Sequence, residues 1–340
     1  MSIKCLLKKG KYVIIIYVKN YLGGEIMSTK KMNFKYIDLF AGVGGVRIPF
    51  QNLGGECVFS SEIDKFACKT YEANYGEIPS GDITKIPASS IPDFDILLAG
   101  FPCQAFSIAG KRKGFGDTRG TMFFEVERIL EEKKPTAFLL ENVKGLTNHD
   151  KGKTFKLMLE ILEKKLGYKV YYKVLNAKNF GLPQNRERIM IVGFKNHNVK
   201  FEFPKEKNIK TRLGDILEKN PDPKYTISDK IWESHKRRKE KNRAKGNGFG
   251  YSLFNEESEY TSTISARYYK DGSEILIEQK GKNPRRLTPR EAARLQGYPD
   301  NFKIVVSDMQ AYKQFGNSVP INMIDAVAKN MITALEGGNE

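Results

Sequence analysis

From Phe34 onward, short apolar runs alternate with amphipathic stretches. Phe34–Phe40 reads as a buried strand, followed by A-G-V-G-G and a helical pattern through Leu53. Cys57–Ser60 is a second strand, and Ile63–Asn74 has helical spacing. Asp93–Ala99 (D-F-D-I-L-L-A) and Thr136–Glu141 (T-A-F-L-L-E) are further strands, with Met122–Lys133 and Thr154–Leu166 as helices between strands. Tyr168–Leu175 and Arg188–Phe194 suit a closing antiparallel pair. Strands alternating with helices predict an α/β fold with a mostly parallel sheet covered on both faces.

After Phe194 that alternation fades. Residues 195–284 are rich in Lys, Asn, Gly, Ser and Tyr and read as a smaller, irregular β-rich domain. The basic run His235–Lys245 lies inside it and suits either phosphate binding or a plain solvated helix. Order returns at Arg286. Thr288 can cap a helix that begins at Pro289, with Glu291 at the capping-box position. Asn317 precedes a final amphipathic helix, Ile321–Leu335. The chain thus divides into an extension (1–33), an α/β domain (34–194), the irregular domain (195–284) and a C-terminal segment (285–340).

Charge changes this picture. The 340 residues hold 57 Lys plus Arg against 40 Asp plus Glu, a formal net charge of +17. That excess favours a polyanionic partner, nucleic acid before an acidic membrane surface. Four scattered cysteines (Cys5, Cys57, Cys68, Cys103), with no C-x-x-C pair, argue against a disulfide scaffold or a zinc site and suit a reducing cytoplasm. The longest apolar run, Tyr12–Val18, is far short of the roughly 20 residues of a membrane span, and no A-x-A cleavage site follows it. Codons for Leu22-Gly23-Gly24 can spell the ribosome-binding sequence AGGAGG just upstream of Met27. Translation is therefore expected to start at Met27, the alternative being a genuine N-terminal β-hairpin. Residues 1–26 carry five lysines and one glutamate, so the basic excess does not depend on them.

Four motifs carry candidate chemistry. The first is Asp38-Leu39-Phe40-Ala41-Gly42-Val43-Gly44-Gly45, at a strand-to-helix turn where glycines let backbone approach a ligand. Its third dinucleotide-fingerprint glycine is replaced by Arg47, which disfavours NAD or FAD and suits another adenosine-bearing cofactor. Glu62, about 20 residues on, can accept from ribose hydroxyls. Asp82, in G-D-I-T and read as following the third strand, can bind an adenine amino group. The second motif is Gly100-Phe101-Pro102-Cys103-Gln104-Ala105-Phe106-Ser107, which puts Cys103 at the carboxyl edge of the sheet. A glycine-rich stretch down to Gly114–Gly120, containing Arg119, follows and suits a closing loop. The third is Glu141-Asn142-Val143, a carboxyl at the same edge and a candidate general acid. The fourth is Gln184-x-Arg186-x-Arg188, whose arginines on alternate strand positions can aim at one site.

Together these strings closely resemble the DNA (cytosine-5) methyltransferases, in the form found in bacterial restriction-modification systems. D-L-F-A-G-V-G-G, G-F-P-C-Q-A-F-S, E-N-V, Q-N-R-E-R, Arg285–Pro299 and Gln314–Val319 occur in that family's order, and the likeness covers nearly everything from Phe34 onward. The P-C-Q form favours the DNA-modifying branch over the tRNA-modifying one. The resemblance implies a Rossmann-like methyltransferase domain with a target-recognition domain at 195–284. It also implies S-adenosylmethionine as cofactor, with no metal. Phe40, Gly42, Gly44, Glu62, Ile63, Asp82, Ile83 and Asn317 would hold it. The residue after Glu62 is often a Trp in that family and is Ile63 here, which implies altered cofactor affinity.

For the chemistry, the resemblance implies that the Cys103 thiolate adds to C6 of a flipped-out cytosine. Glu141 would act at N3, and Arg188 would hold O2 with Arg186 nearby. Water is the candidate base for the C5 proton. Gln104, Ser107 and Arg119, on the closing loop, and Arg267, Tyr268, Tyr269 and Lys270, in Thr261–Gly272, are candidate DNA contacts. The last segment resembles that of enzymes whose sites are like CCNGG or CCWGG. The implied partners are double-stranded DNA and a companion endonuclease that shares the site without a stable complex, with no membrane and a monomeric enzyme. A nucleotide-dependent oxidoreductase leaves the P-C-Q loop unexplained. A silent DNA binder would not need Cys103, Glu141 and Arg188 together. An RNA substrate stays open at this point.

Overall fold

The computed structural model describes residues 33–102, 122–207, 209–246, 248 and 250–337, and the backbone of 2–8 and 11–17. Ser2–Lys8 (β1) and Lys11–Tyr17 (β2) pair antiparallel as a separate hairpin. Among the described residues the main sheet has six strands: Lys35–Leu39 (β3), Glu56–Ser61 (β4), Ile96–Gly100 (β5), Ala137–Val143 (β6), Lys169–Asn176 (β7) and Glu187–Phe194 (β8). Their order is β4-β3-β5-β6-β8-β7. The first four run parallel, and β8 is antiparallel to both neighbours, as the closing pair predicts. Asp82 sits in a turn between Tyr75 and Ile96, so it precedes the third parallel strand in chain order rather than following it.

The helices are Arg47–Asn52 (α1), Lys65–Tyr75 (α2), Phe123–Lys133 (α3), Lys153–Glu160 (α4), Asp229–Ala244 (α5), Pro289–Leu295 (α6), Asp308–Asn317 (α7) and Ile321–Gly337 (α8). Alternation along the strands sends side chains to two cores. Ile37, Leu39, Leu97, Phe138 and Ile191 pack with Val126, Ile129 and Leu130 of α3 and Met158 of α4 on one face. Tyr36, Ile96, Leu98, Leu139 and Val192 pack with Phe50 of α1 and Met323, Ile324 and Val327 of α8 on the other. The last helix of the chain therefore covers the same sheet that the first motif opens.

Residues 195–284 contain less β structure than their texture predicts. Leu253–Phe254 (β9), Leu276–Gln279 (β10) and Lys282–Arg285 (β11) form a small sheet in the order β11-β10-β9. The longest element there is α5, which Ser228 caps by accepting from the Ile231 amide, with Asp229 in its first turn and Lys241 and Arg243 in its last. A third core joins this region to the rest. It holds Val43 of the glycine loop, Leu213, Ile264, Tyr268 and Ile275, and Leu287, Tyr312 and Phe315. The capping box at Thr288 and Glu291 forms as the sequence predicts, each side chain accepting from the other's amide at 2.8–3.1 Å.

Gly316 lies where α7 crosses the segment at Ser265. A β-carbon there would lie 2.3 Å from the Ser265 carbonyl and 2.4 Å from the Ala266 amide nitrogen. Two backbones thus meet at a distance that no side chain allows. Gly316→Ala is expected to lower stability by about 1–3 kcal/mol, typical of overpacking, despite alanine's better helix propensity. A urea midpoint equal to that of the parent would contradict the close approach.

Candidate active site and nucleic-acid interface

The glycine loop leaves β3 through a chain of left-handed residues. Phe40 has φ +56°, Gly42 +56° and Gly44 +80°. Such a run turns the backbone tightly, with the Ala41 amide donating to the Ser61 carbonyl at 2.9 Å and the Gly44 amide to the Ala41 carbonyl at 2.8 Å. The Glu62 carboxylate, at the end of β4, fixes this turn by accepting from the amides of Gly42 (2.8 Å), Ile63 (2.9 Å) and Asp64 (2.8 Å). Ile63 beside it is 75 % exposed. Asp82 accepts from the amide and hydroxyl of Thr84 at 3.1 and 2.7 Å, and these bonds hold its carboxyl below the usual range. The side chain of Ile83 is not at the cleft. It is 3 % exposed and packs in the core beside α3, which corrects its expected place among ligand contacts. Asn317 is exposed at the end of α7, and the adjoining Ser318 and Val319 press against Gly45.

Arg47, which stands where a third glycine is missing, forms the floor of this loop. It is buried and donates to Tyr71 Oη at 2.8 Å, pairs with Glu77, and stacks 4.2 Å from the Tyr75 ring centroid. Tyr75 in turn donates to the Gly44 carbonyl at 2.8 Å. The sequence signals only an absent glycine; the paired tyrosines on α2 were the missed sign of a cation beneath the loop.

A second group of side chains meets where β5, β6 and β8 end. Register puts Arg188 opposite Val143, so Glu141, two residues along on the same face of β6, is its diagonal neighbour. The Arg188 Nε lies 2.9 Å from Glu141 Oε1, with both side chains nearly buried. Burial pushes the Glu141 carboxyl above its ordinary range, while Arg188 and then Arg186 pull it back. Gly100 pairs with Glu141 across β5 and β6. Asn142, on the opposite face, donates to the Phe101 carbonyl at 2.9 Å and so anchors the strand exit that runs into Pro102. The sequence assigns Asn142 of E-N-V no role, and nothing local to it signals this contact, which spans 41 residues. Cys103, Gln104, Ser107 and Arg119 lie outside the described residues.

Arg186 lies close enough to Glu141 and Arg188 for their charges to act on one another, but its own hydrogen bonds go elsewhere. It is 1 % exposed and donates to three main-chain carbonyls, Ile264 at 2.9 Å, Gly316 at 3.0 Å and Ser318 at 2.6 Å. The alternation argument fails because Arg186 precedes β8 and turns into a junction of three segments. Gln184 joins it there, accepting from the Ile264 amide and donating to the Leu295 carbonyl and the Gln296 side chain. Tyr268 is likewise corrected from DNA contact to core. It is fully buried, and its hydroxyl donates to the Ile275 carbonyl and accepts from the Leu287 amide at 2.7 Å. Arg267 and Lys270 are exposed on the same turn. Tyr269 is half-buried, and its carbonyl accepts from Arg286 at 3.3 Å.

A glycine turn, a buried acid–arginine pair and an anchored strand exit at one sheet edge define an α/β group-transfer enzyme. Comparison with known proteins makes this specific. The family pattern of the C-5 cytosine-specific DNA methylases matches residues 34–333, so the chain belongs to that family. It is 64 % identical over 305 residues to the type II methyltransferase M.NlaX of Neisseria lactamica, covering 89 % of this chain and 97 % of that one. It is 59 % identical over 310 residues to M.DsaV of Dactylococcopsis salina, covering 90 % and 88 %. Among solved structures, the Dnmt2 methyltransferase of S. pombe superposes with a TM-score of 0.73 at 18 % identity, over 91 % of this chain and all of that one. The protein is a DNA cytosine-5 methyltransferase of the bacterial restriction-modification kind.

A buried carboxyl lies under this site. Asp38 is 1 % exposed, and neither carboxylate oxygen has a partner among the described residues. Burial pushes its pKa from 3.8 up to about 7, against the pull of Arg47 and with a further push from Glu62. The folded state then holds a proton that the unfolded chain has lost. Stability should therefore fall as pH rises through that window and level off above it. Asp38→Asn is expected to gain on the parent between about pH 5 and about pH 8 in urea unfolding. An equal gap at both pH values would show that Asp38 is not protonated in the fold.

Proposed function

We propose that the chain transfers a methyl group from S-adenosylmethionine to C5 of a flipped-out cytosine through a covalent Cys103–C6 adduct. By doing so it protects host DNA in the bacterial cytoplasm. The observation that carries this reading is the meeting of Glu141, Arg188 and the Phe101-Pro102 exit toward Cys103 at one sheet edge. The residues at that edge fit the cofactor. Gly42 leaves open space where a side chain would stand, Glu62 keeps lone pairs for ribose hydroxyls, and exposed Ile63 offers an apolar face to a purine. When bound, S-adenosylmethionine supplies an electrophilic methyl group.

The chain's own residues supply the rest. The Cys103 thiolate forms a bond to C6, and the electron pair displaced from the C5–C6 double bond makes C5 nucleophilic. Glu141, its carboxyl raised by burial, donates a proton to N3 as that charge develops. Arg188 holds both Glu141 and the cytosine O2. After methylation, loss of the C5 proton to water re-forms the C5–C6 double bond and expels the Cys103 thiolate, and N3 returns its proton to Glu141, which restores the neutral ring and the acid. Arg267 and Lys270 act as DNA contacts from the 195–284 recognition domain. The enzyme works as a monomer, without a stable complex with its nuclease.

Plasmid DNA from cells expressing the protein, read by bisulfite sequencing beside a Cys103→Ser control, tests this directly. Protected cytosines confined to one short motif of CCNGG or CCWGG type are expected, and they should vanish in the control. Protection that survives Cys103→Ser would refute the adduct. No protection by soluble parent protein would refute the DNA substrate.

A further inference from the structure

Helix α5 bears the densest cationic run in the chain, and its faces are sharply divided. The inner face is docked. Trp232 packs edge-on against Tyr251 with centroids 4.7 Å apart, Lys239 lies over the same ring at 4.2 Å, and His235 is 2 % exposed. Two contacts run from this helix to the end of the loop bearing Arg267 and Lys270. Arg238 pairs with Asp271 at 2.8 Å, and His235 Nε2 lies 3.3 Å from the Asp271 carbonyl. The helix thus stands beside the candidate base-reading loop and braces it.

At about 100° per residue, Lys230, Ser234, Arg237, Lys241 and Lys245 fall on the opposite face. All five are exposed. Among the described residues no ion pair or hydrogen bond engages the side chains of Arg237, Lys241 or Lys245. Glu233 on the same helix is taken by Lys236, and Glu240 borders the ridge. Arg237–Lys241 and Lys241–Lys245 are like-charge pairs four residues apart, an arrangement that works against an isolated helix. A partner that supplies negative charge removes that penalty. Successive cations rise by about 6 Å along the axis, close to two steps of one DNA strand at about 3.4 Å each.

We propose that this outer face of α5 is a rail for the phosphate backbone of duplex DNA. It binds irrespective of base sequence and holds the recognition loop against the groove. The choice of duplex rests on the methyltransferase reading above.

The test uses the full chain and a fluorescent duplex that lacks the recognised motif, with binding followed by anisotropy across a salt series. In Arg237→Gln/Lys241→Gln/Lys245→Gln the slope of log K against log salt should shrink by about 2.7, since each phosphate contact contributes about 0.9. The methylated motif and the turnover at saturating DNA should stay as in the parent. The charge-keeping variant Arg237→Lys/Lys241→Arg/Lys245→Arg should retain the parent slope, which separates charge loss from misfolding. An unchanged slope in the glutamine variant would overturn the rail and make the ridge a solvated face. So would loss of slope in the charge-keeping variant, or a slope change seen with single-stranded RNA and not with duplex. A parent protein that binds duplex with the expected slopes yet methylates nothing would instead sink the catalytic reading and leave the rail standing.

Discussion

A buried arginine holds this molecule together. Arg186 is almost wholly removed from water, yet its guanidinium is met by the carbonyls of Ile264, Gly316 and Ser318, which belong to two segments far from it in sequence. Burying that charge is costly, and burial and Arg188 both work against it, offset in part by Glu141. The three carbonyls would be equally costly to bury without a donor. Each side of the contact therefore requires the other. Gln184, two residues earlier, makes the same kind of link to Ile264, Leu295 and Gln296. Gly316 can lie against Ser265 because it has no side chain. The three-way junction thus rests on two polar side chains and one missing one.

That junction sets the geometry of the site. Arg186 enters β8, and the register of β8 on β6 places Arg188 diagonally across from Glu141. The C-terminal segment that Arg186 grips is the one that presses on Gly45 through Ser318 and Val319. The acid–arginine pair and the glycine loop are therefore tied to one anchor. Asn142 adds the last constraint by fixing the Phe101 carbonyl just ahead of Pro102. Chemistry at the sheet edge needs these groups held without adjustment when substrate arrives, and a buried network with few free partners supplies that rigidity.

Much of this was legible in the chain. The strands and helices of 34–194 follow from short continuous apolar runs, buried on both faces in the central strands, and amphipathic runs of period 3.6, and the capping box at Thr288 follows from three residues. Glu141 and Arg188 meet at the sheet edge as expected because both motifs end or begin strands, where side-chain direction is predictable. Arg186 and Tyr268 were misplaced for one reason: polarity near a motif suggests a ligand, whereas burial depends on contacts dozens to hundreds of residues away. Ile83 failed similarly, an apolar side chain beside a polar motif that belongs to the core. The region 195–284 was read as irregular β because its polar composition hides periodicity. The basic run is a helix, which one of its two readings allowed, but the helix begins at Asp229 and is docked through Trp232, His235 and Lys239, a stripe too sparse in apolar residues to stand out.

The lone tryptophan, Trp232, lies in the 195–284 region and reports on it separately from the main sheet. Urea unfolding followed by Trp fluorescence and by far-ultraviolet circular dichroism therefore tests the central claim in Arg186→Met. The parent should show coincident transitions. The variant should show the fluorescence transition moved to lower urea, ahead of the loss of sheet and helix signal, because the 195–284 and C-terminal segments lose their shared donor. Coincident transitions at the parent's midpoint would contradict the account, since the junction would then hold without its arginine.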